Sequence, residues 1–239
     1  MSMQRYHVIN ALLRARTRPT YLEIGLAIGD AWFRVRAANK IGVDPRNVFT
    51  ADKVVWYRKL LFEISRLAGA EFFAVTSDEF FSRFAPRVLT RHPVDVAFID
   101  GWHSYEQSLR DVQHALLYLK PEGVIVLHDC NPPSAIATAR TPEEAIAQQS
   151  GWNGDVWKTI VYLRSTQPDL GVSVLDCDEG LGIIHSGHPE RRLHFTENDI
   201  WDMSYDDLAR HRQEWLNLQP AELSLLQVIG KSEGGESGR

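Results

Sequence analysis

Cysteine is nearly missing from this sequence, with two in 239 residues, Cys130 and Cys177. They have neither metal-finger spacing nor a C-x-x-C arrangement, which excludes a disulfide framework. Both read as free thiols of a reducing compartment. No apolar run approaches the roughly 18 residues that suggest a membrane-spanning helix. The opening MSMQRYHVINALLRARTRPT lacks the apolar core of a secretion signal. A cytoplasmic protein with no membrane partner is therefore expected. Positive charge is not in excess either: the net charge of −5 offers no electrostatic footprint for nucleic acid. Internal repeats are absent. What remains is ordinary for a soluble globular chain, 44% hydrophobic and 24% charged, and long enough for one sizeable core.

Short apolar runs alternate with helical patterns. Tyr21–Gly25, Lys40–Val43, Phe72–Val75, Val94–Ile99 and Val124–Leu127 read as five strands. Val172–Leu175 and Gly182–Ile184 read as a final antiparallel pair around Asp178-Glu179-Gly180. Helical spacing predicts helices over 4–16, 54–67, 103–119, 142–149, 156–163, 204–216 and 221–229. In 103–119 Tyr105, Leu109, Val112, Leu116 and Leu119 form one stripe. Pro121-Glu122-Gly123 reads as a turn, Gly69 as a helix C-cap and Ser77 as an N-cap. Alternation of this kind argues for a parallel α/β sheet. The expected division is an N-terminal helix at 1–19, the main domain at 20–187, a helical extension at 188–229 and a disordered tail at 230–239.

Glu23-Ile24-Gly25 with Gly29 follows the first strand directly, and Asp44 closes the second. Glycines let a ligand approach the main chain, and a carboxylate at Asp44 can accept both hydroxyls of a ribose. The third glycine of a dinucleotide fingerprint is missing, and only about a dozen residues separate Gly29 from Ile41. A ligand with a ribose but no phosphates, such as S-adenosylmethionine, fits that short crossover better. A nicotinamide-dependent oxidoreductase and a non-catalytic nucleoside-binding module are the competing readings.

Asp100 and Asp129 end adjacent strands, so their carboxylates can converge. Two such groups in a cleft repel unless a cation or proton bridges them, and oxygen ligands suit Mg²⁺ or another hard divalent ion. The alternative is that Asp100 orders the Gly101–His103 turn and Asp129 caps its loop. His103, three residues after Asp100, is the side chain best suited to accept a proton near neutral pH. His128 is a second histidine beside the same acids.

The motifs E-I-G-x-x-x-G, V-D-P, F-I-D-G-x-H-x-Y-E, P-x-G and H-D together resemble class I S-adenosylmethionine-dependent methyltransferases. They are similar to the branch that includes sugar and natural-product O-methyltransferases and cephalosporin-hydroxylase-like proteins. The resemblance spans roughly residues 20–185. It implies a doubly wound, Rossmann-like sheet of seven mostly parallel strands, the last antiparallel, with helices on both faces. It implies that Glu23, Gly25 and Gly29 face the methionine part of the cofactor, Asp44 the ribose, Ser77 and Asp78 the adenine, and Asp100 the transfer centre. His103, Asp100 and Asp129 would be catalytic, with Asp100 and Asp129 as candidate metal ligands. Where the catechol-type enzymes carry Asn after the second aspartate, this chain has Cys130, with Asn131 one position on. Asp155, Trp157 and Lys158 are candidate substrate contacts. The expected acceptor is a small polar molecule methylated on oxygen, and the tryptophans and leucines of the C-terminal helices are a candidate homodimer surface.

Overall fold

The computed structural model describes residues 3–46, 56–148, 150–189 and 191–221. The expected helix beyond Ala221 and the tail at 230–239 lie outside them. Eight strands, β1 (Thr20–Ile24), β2 (Asn39–Val43), β3 (Glu71–Phe73), β4 (Val94–Ile99), β5 (Leu119–Leu127), β6 (Leu170–Leu175), β7 (Leu181–Ser186) and β8 (Leu218–Gln219), form one sheet. Their spatial order is β3-β2-β1-β4-β5-β7-β6-β8. The pairs from β3 to β5 are parallel, while β7 lies antiparallel between β5 and β6. The seven expected strands are all present, and the two-residue β8 extends the edge beside β6.

Helices cover both faces because successive strand residues alternate between two apolar cores. Tyr21, Val96, Phe98, Val124 and Val126 face α1 (Arg5–Arg14), α2 (Asp30–Arg34) and α3 (Trp56–Leu67). Leu22, Ile24, Ala97, Ile99 and Ile125 face the other side. There lie α4 (Ser77–Arg83), α5 (Ala85–Arg91) and α6 (Tyr105–Leu116). The loop after β5 carries α7 (Pro142–Ala147), and α8 (Trp157–Thr166), α9 (Glu197–Asp202) and α10 (Tyr205–Trp215) complete that second face. The crossover from β1 to β2 holds only the five-residue α2, as its length requires.

Local corrections follow from hydrogen bonding. Pro121–Gly123 is not a free turn: it bulges out of β5, where the register to β4 jumps between Val94–Leu119 and Val96–Val124. The N-cap of α4 is Thr76, whose hydroxyl accepts from the Glu79 amide, so Ser77 is the first helical residue. The N-cap of α6 is Ser104, which leaves His103 in the tight turn before the helix, where the Ser104 amide donates to the Trp102 carbonyl. Gly69 closes α3 in the left-handed region, at φ +95°.

β1 and β4 are neighbours, with β2 continuing the sheet on one side and β5 on the other. Such a reversal of winding opens a crevice at the carboxyl ends of the strands. Gly25, Asp44, Asp100 and His128 all follow those ends directly.

Candidate active site

A cavity of about 820 Å³ occupies that crevice, within the usual size range of small-molecule sites. At one end lie Asp44, Pro45, Arg46, Ser77, Asp78 and Gln107. At the other lie Arg5, Asp100, His103, His128, Asp129 and Trp152, with Gly25 and Gly101 between. A Cβ on Gly25 would stand 2.0 Å from the Asp100 carbonyl oxygen, at φ +86°. Only glycine lets the β1 and β4 ends meet so closely.

Asp44 is buried, its Oδ2 accepting from the Ala27 amide (2.9 Å) and its Oδ1 from the Arg46 amide (2.8 Å). Two backbone donors hold the carboxylate rigidly at the cavity wall, with lone pairs left over. Gln107 Nε2 donates to Ser77 Oγ, Asp78 Oδ1 and Asp111 Oδ1 at 3.0–3.3 Å. It thereby ties α4 to α6 beside the cavity.

The far end is an acid–base cluster. Asp100 Oδ2 accepts from Arg5 at 2.8 Å, and Arg5 also holds Asp178 through Nε (2.8 Å) and Nη2 (3.0 Å). His103 Nε2 lies 3.4 Å from Asp100 Oδ1. Its Nδ1 lies 2.8 Å from the Trp152 carbonyl and 3.1 Å from Asp129 Oδ2. A carbonyl can only accept, so Nδ1 carries a hydrogen, and Nε2 faces Asp100, to which it donates once the ring is protonated. The imidazole stacks on Trp152, ring centroids 4.9 Å apart at 17°. Gly154 presses on its backbone, where a Cβ would come within 1.7 Å of the His103 carbonyl oxygen. Burial works against a charged His103, but the hydrogen bond to Asp100 and the charge of Asp129 prevail and raise its pKa. His128 is pushed up strongly as well: burial opposes its charge, and Asp100 and Asp129 outweigh it.

Asp129 adopts φ +61°, an uncommon region for a residue with a side chain. Its Oδ1 accepts from Asn153 at 2.7 Å. Its Oδ2 is buried without a hydrogen-bond partner, although His128 Nδ1 comes to 3.0 Å in poor geometry. One ligand atom each from Asp100, His103 and Asp129 lie within 4.8 Å of one another. A buried orphan carboxylate oxygen beside a second carboxylate and an imidazole fits a hard divalent cation.

Several expected site residues stand elsewhere. Glu23 does not line the cavity: it points into the core on the α1 side, accepting from Tyr21 OH at 2.7 Å, and burial pushes its pKa up to about 8. Gly29 caps α2 and packs against Phe33 and Phe62. Asp155 Oδ1 accepts from the Tyr105 amide at the head of α6. Trp157 is buried and stacks on Trp215, and Lys158 Nζ donates to the Trp201 carbonyl. None of the three lines the cavity. Asn131 turns away to Asp176 and Arg212, and Asn153 reaches Asp129 in its place. Arg5, Gln107, Trp102, Trp152, Asn153 and Asp178 were not singled out from sequence. Arg5 is one arginine among several in a helix, and nothing local marks it.

Residues 22–130 match the family described as a methyltransferase domain. The matched stretch runs from β1 through the Asp129 turn and holds Asp44, Ser77, Asp78, Asp100 and His103. No curated protein matches the sequence detectably. Among solved structures, the chain superposes on an O-methyltransferase from Bacillus cereus in complex with S-adenosylhomocysteine. The TM-score is 0.52 at 14% identity, over 76% of this chain and 79% of that one. The O-methyltransferase TomG from Streptomyces achromogenes, involved in tomaymycin synthesis and bound to S-adenosylmethionine, gives 0.52 at 14% identity, over 78% and 82%. These superpositions agree with the expected Rossmann-like sheet.

Proposed function

We propose that this domain transfers a methyl group from S-adenosylmethionine to an oxygen of a small acceptor. The observation that carries the reading is the single cavity joining the fixed Asp44 carboxylate to the Asp100–His103–Asp129 cluster. Asp44 would accept the ribose hydroxyls, and Ser77 and Asp78, steadied by Gln107, would border the adenine. S-adenosylmethionine, when bound, supplies an electrophilic methyl group on a sulfonium centre. Gly25 lets the β1 and β4 ends meet, and the chain of that molecule would run along this part of the cavity wall toward Asp100.

The acceptor hydroxyl loses its proton as it attacks, and His103 Nε2 is the group placed to take it. The Trp152 carbonyl fixes the tautomer, and the Asp100 and Asp129 charges stabilise the imidazolium that results. Asp100 Oδ1 and Asp129 Oδ2 would hold a divalent cation, which lowers a bound hydroxyl's pKa. Arg5 neutralises the remaining charge of Asp100 and Asp178. Trp152, stacked under His103, and Trp102, edge-on to it at 5.1 Å, would wall the acceptor side.

Among the described residues no helix is long and apolar enough to cross a membrane. Cys130 and Cys177 are unpaired, which supports a cytoplasmic, reducing setting. Transfer of labelled methyl groups to a panel of phenols, sugars and glycosides tests the reading. Activity lost in His103→Ala, with cofactor binding retained, is the expected result. Near-full turnover in that variant removes His103 from the reaction, and activity that survives exhaustive chelation removes the cation.

A further inference from the structure

Helix α3 is built inside out. Its spacing gives one apolar stripe, Trp56, Tyr57, Leu60, Leu61, Ile64 and Leu67, yet all six are between 39% and 83% exposed. The only fully buried residue of the helix is Phe62, on the opposite side. An amphipathic helix normally turns its apolar stripe to the core and its charges to water. Here the core-facing side is satisfied by Phe62 packing on Trp32, Phe33 and Phe72. Arg58 adds an anchor, reaching Asp30 Oδ1 at 2.9 Å and the Ile28 carbonyl. Among the described residues Phe62 and Arg58 thus fasten the helix, which offers its apolar stripe outward. Ile28, itself 45% exposed, extends the patch on the α2 side.

We infer that α3 is a homodimer interface, packing against the same helix of a second copy about a two-fold axis. The area argues for it. At ordinary residue sizes the seven side chains expose roughly 800 Å², against about 800 Å² per partner in a standard protein interface. The largest apolar patch on a typical monomer is about 300–600 Å². The pattern argues for it as well: Trp56, Leu60, Ile64 and Leu67 recur at intervals of four, four and three, which suits interdigitation of two helices. A lipid surface fits less well. Arg58 is engaged within the domain, Arg66 Nη2 pairs with Glu63 at 3.0 Å, and the chain carries net −5, which leaves Lys59 as the one α3 cation without an ion pair among the described residues, too little for anionic headgroups. The interface lies on α3, on the face of the sheet opposite α6 and α8, and leaves the cluster around His103 uncovered. The inference stands independently of the acceptor and of methyl transfer.

Sedimentation velocity of the full chain tests it. A species of twice the 27.2 kDa chain mass at micromolar concentration is expected. Ile64→Asp, and separately Leu60→Lys, should raise the dimer dissociation constant by at least about 100-fold, whichever sign of charge is introduced. Both positions are exposed in the single chain, so the circular dichroism spectrum and binding of S-adenosylhomocysteine should be unchanged, as a control on folding. A chain that stays monomeric up to about 100 μM, or a dimer that survives both substitutions, overturns the inference. A monomer that co-sediments with phosphatidylcholine vesicles also overturns it and assigns the face to a membrane.

Discussion

His103 shows how one residue's chemistry is set by three neighbours. The Trp152 carbonyl claims its Nδ1 hydrogen, Asp100 faces Nε2, and Asp129 supplies a second negative charge. A base works only when deprotonated, so kcat/KM should fall as pH drops through the His103 pKa. That acid limb should lie above the ordinary histidine value of about 6.5. Asp100→Asn removes the largest raising contribution and should shift the limb to lower pH, which a pH–rate profile reads directly. Arg5 is a second test. Burial opposes ionisation of Asp178, but the His128 imidazole 3.8 Å away and the hydrogen bonds from Arg5 hold its carboxyl well below the usual range. A depressed carboxylate stabilises the fold above its unfolded pKa of about 4, and that stability is lost as pH falls. Arg5→Met should therefore cost about 2–3 kcal/mol at pH 7 and progressively less toward pH 3, measured as urea midpoints. A cost that does not shrink on acidification would contradict the account.

Among the elements, those carrying the motif block were legible and those carrying the acceptor side were not. VDVAFI and GVIVL announce strands covered on both faces, and the stripe from Tyr105 to Leu116 announces a helix, because each burial pattern is complete within its own segment. The Asp100 and Asp129 pair follows from strand ends, and His103 from its place three residues after Asp100. Arg5 does not, since it meets Asp100 across 95 residues of sequence, and no local pattern records that contact. Trp157 failed for a related reason. A tryptophan opening a helix beside Asp155 and Lys158 fits a substrate wall as readily as a core, and only the approach of Trp215 decides it. The consequence is testable. Trp157→Ala should destabilise the fold by about 3–5 kcal/mol, whereas Trp157→Phe should keep the acceptor KM within about twofold. A large rise in KM in a stably folded Trp157→Phe protein would return that residue to the substrate site. The α3 stripe was legible as a helix, but the side it turns to water was not.

For the whole molecule, the reversal of sheet winding between β1 and β4 opens one crevice, and the most tightly constrained geometry of the chain lies there. Gly25 allows the close approach of two strand ends, Asp44 is clamped by two amides, and the acid–imidazole cluster lies at the opposite end of the same cavity. The segments that follow β1, β2, β4 and β5 give this crevice its walls, and Arg5 of α1 lines it while holding Asp178 of the β6–β7 hairpin. The central claim is that this crevice seats an adenosine-type methyl donor across Asp44. Calorimetric titration of the wild-type chain and Asp44→Ala with S-adenosylhomocysteine tests it most directly. The account predicts micromolar binding to the wild type and at least about tenfold weaker binding to the variant. Absence of binding at millimolar ligand, or equal affinity in the two proteins, would contradict it.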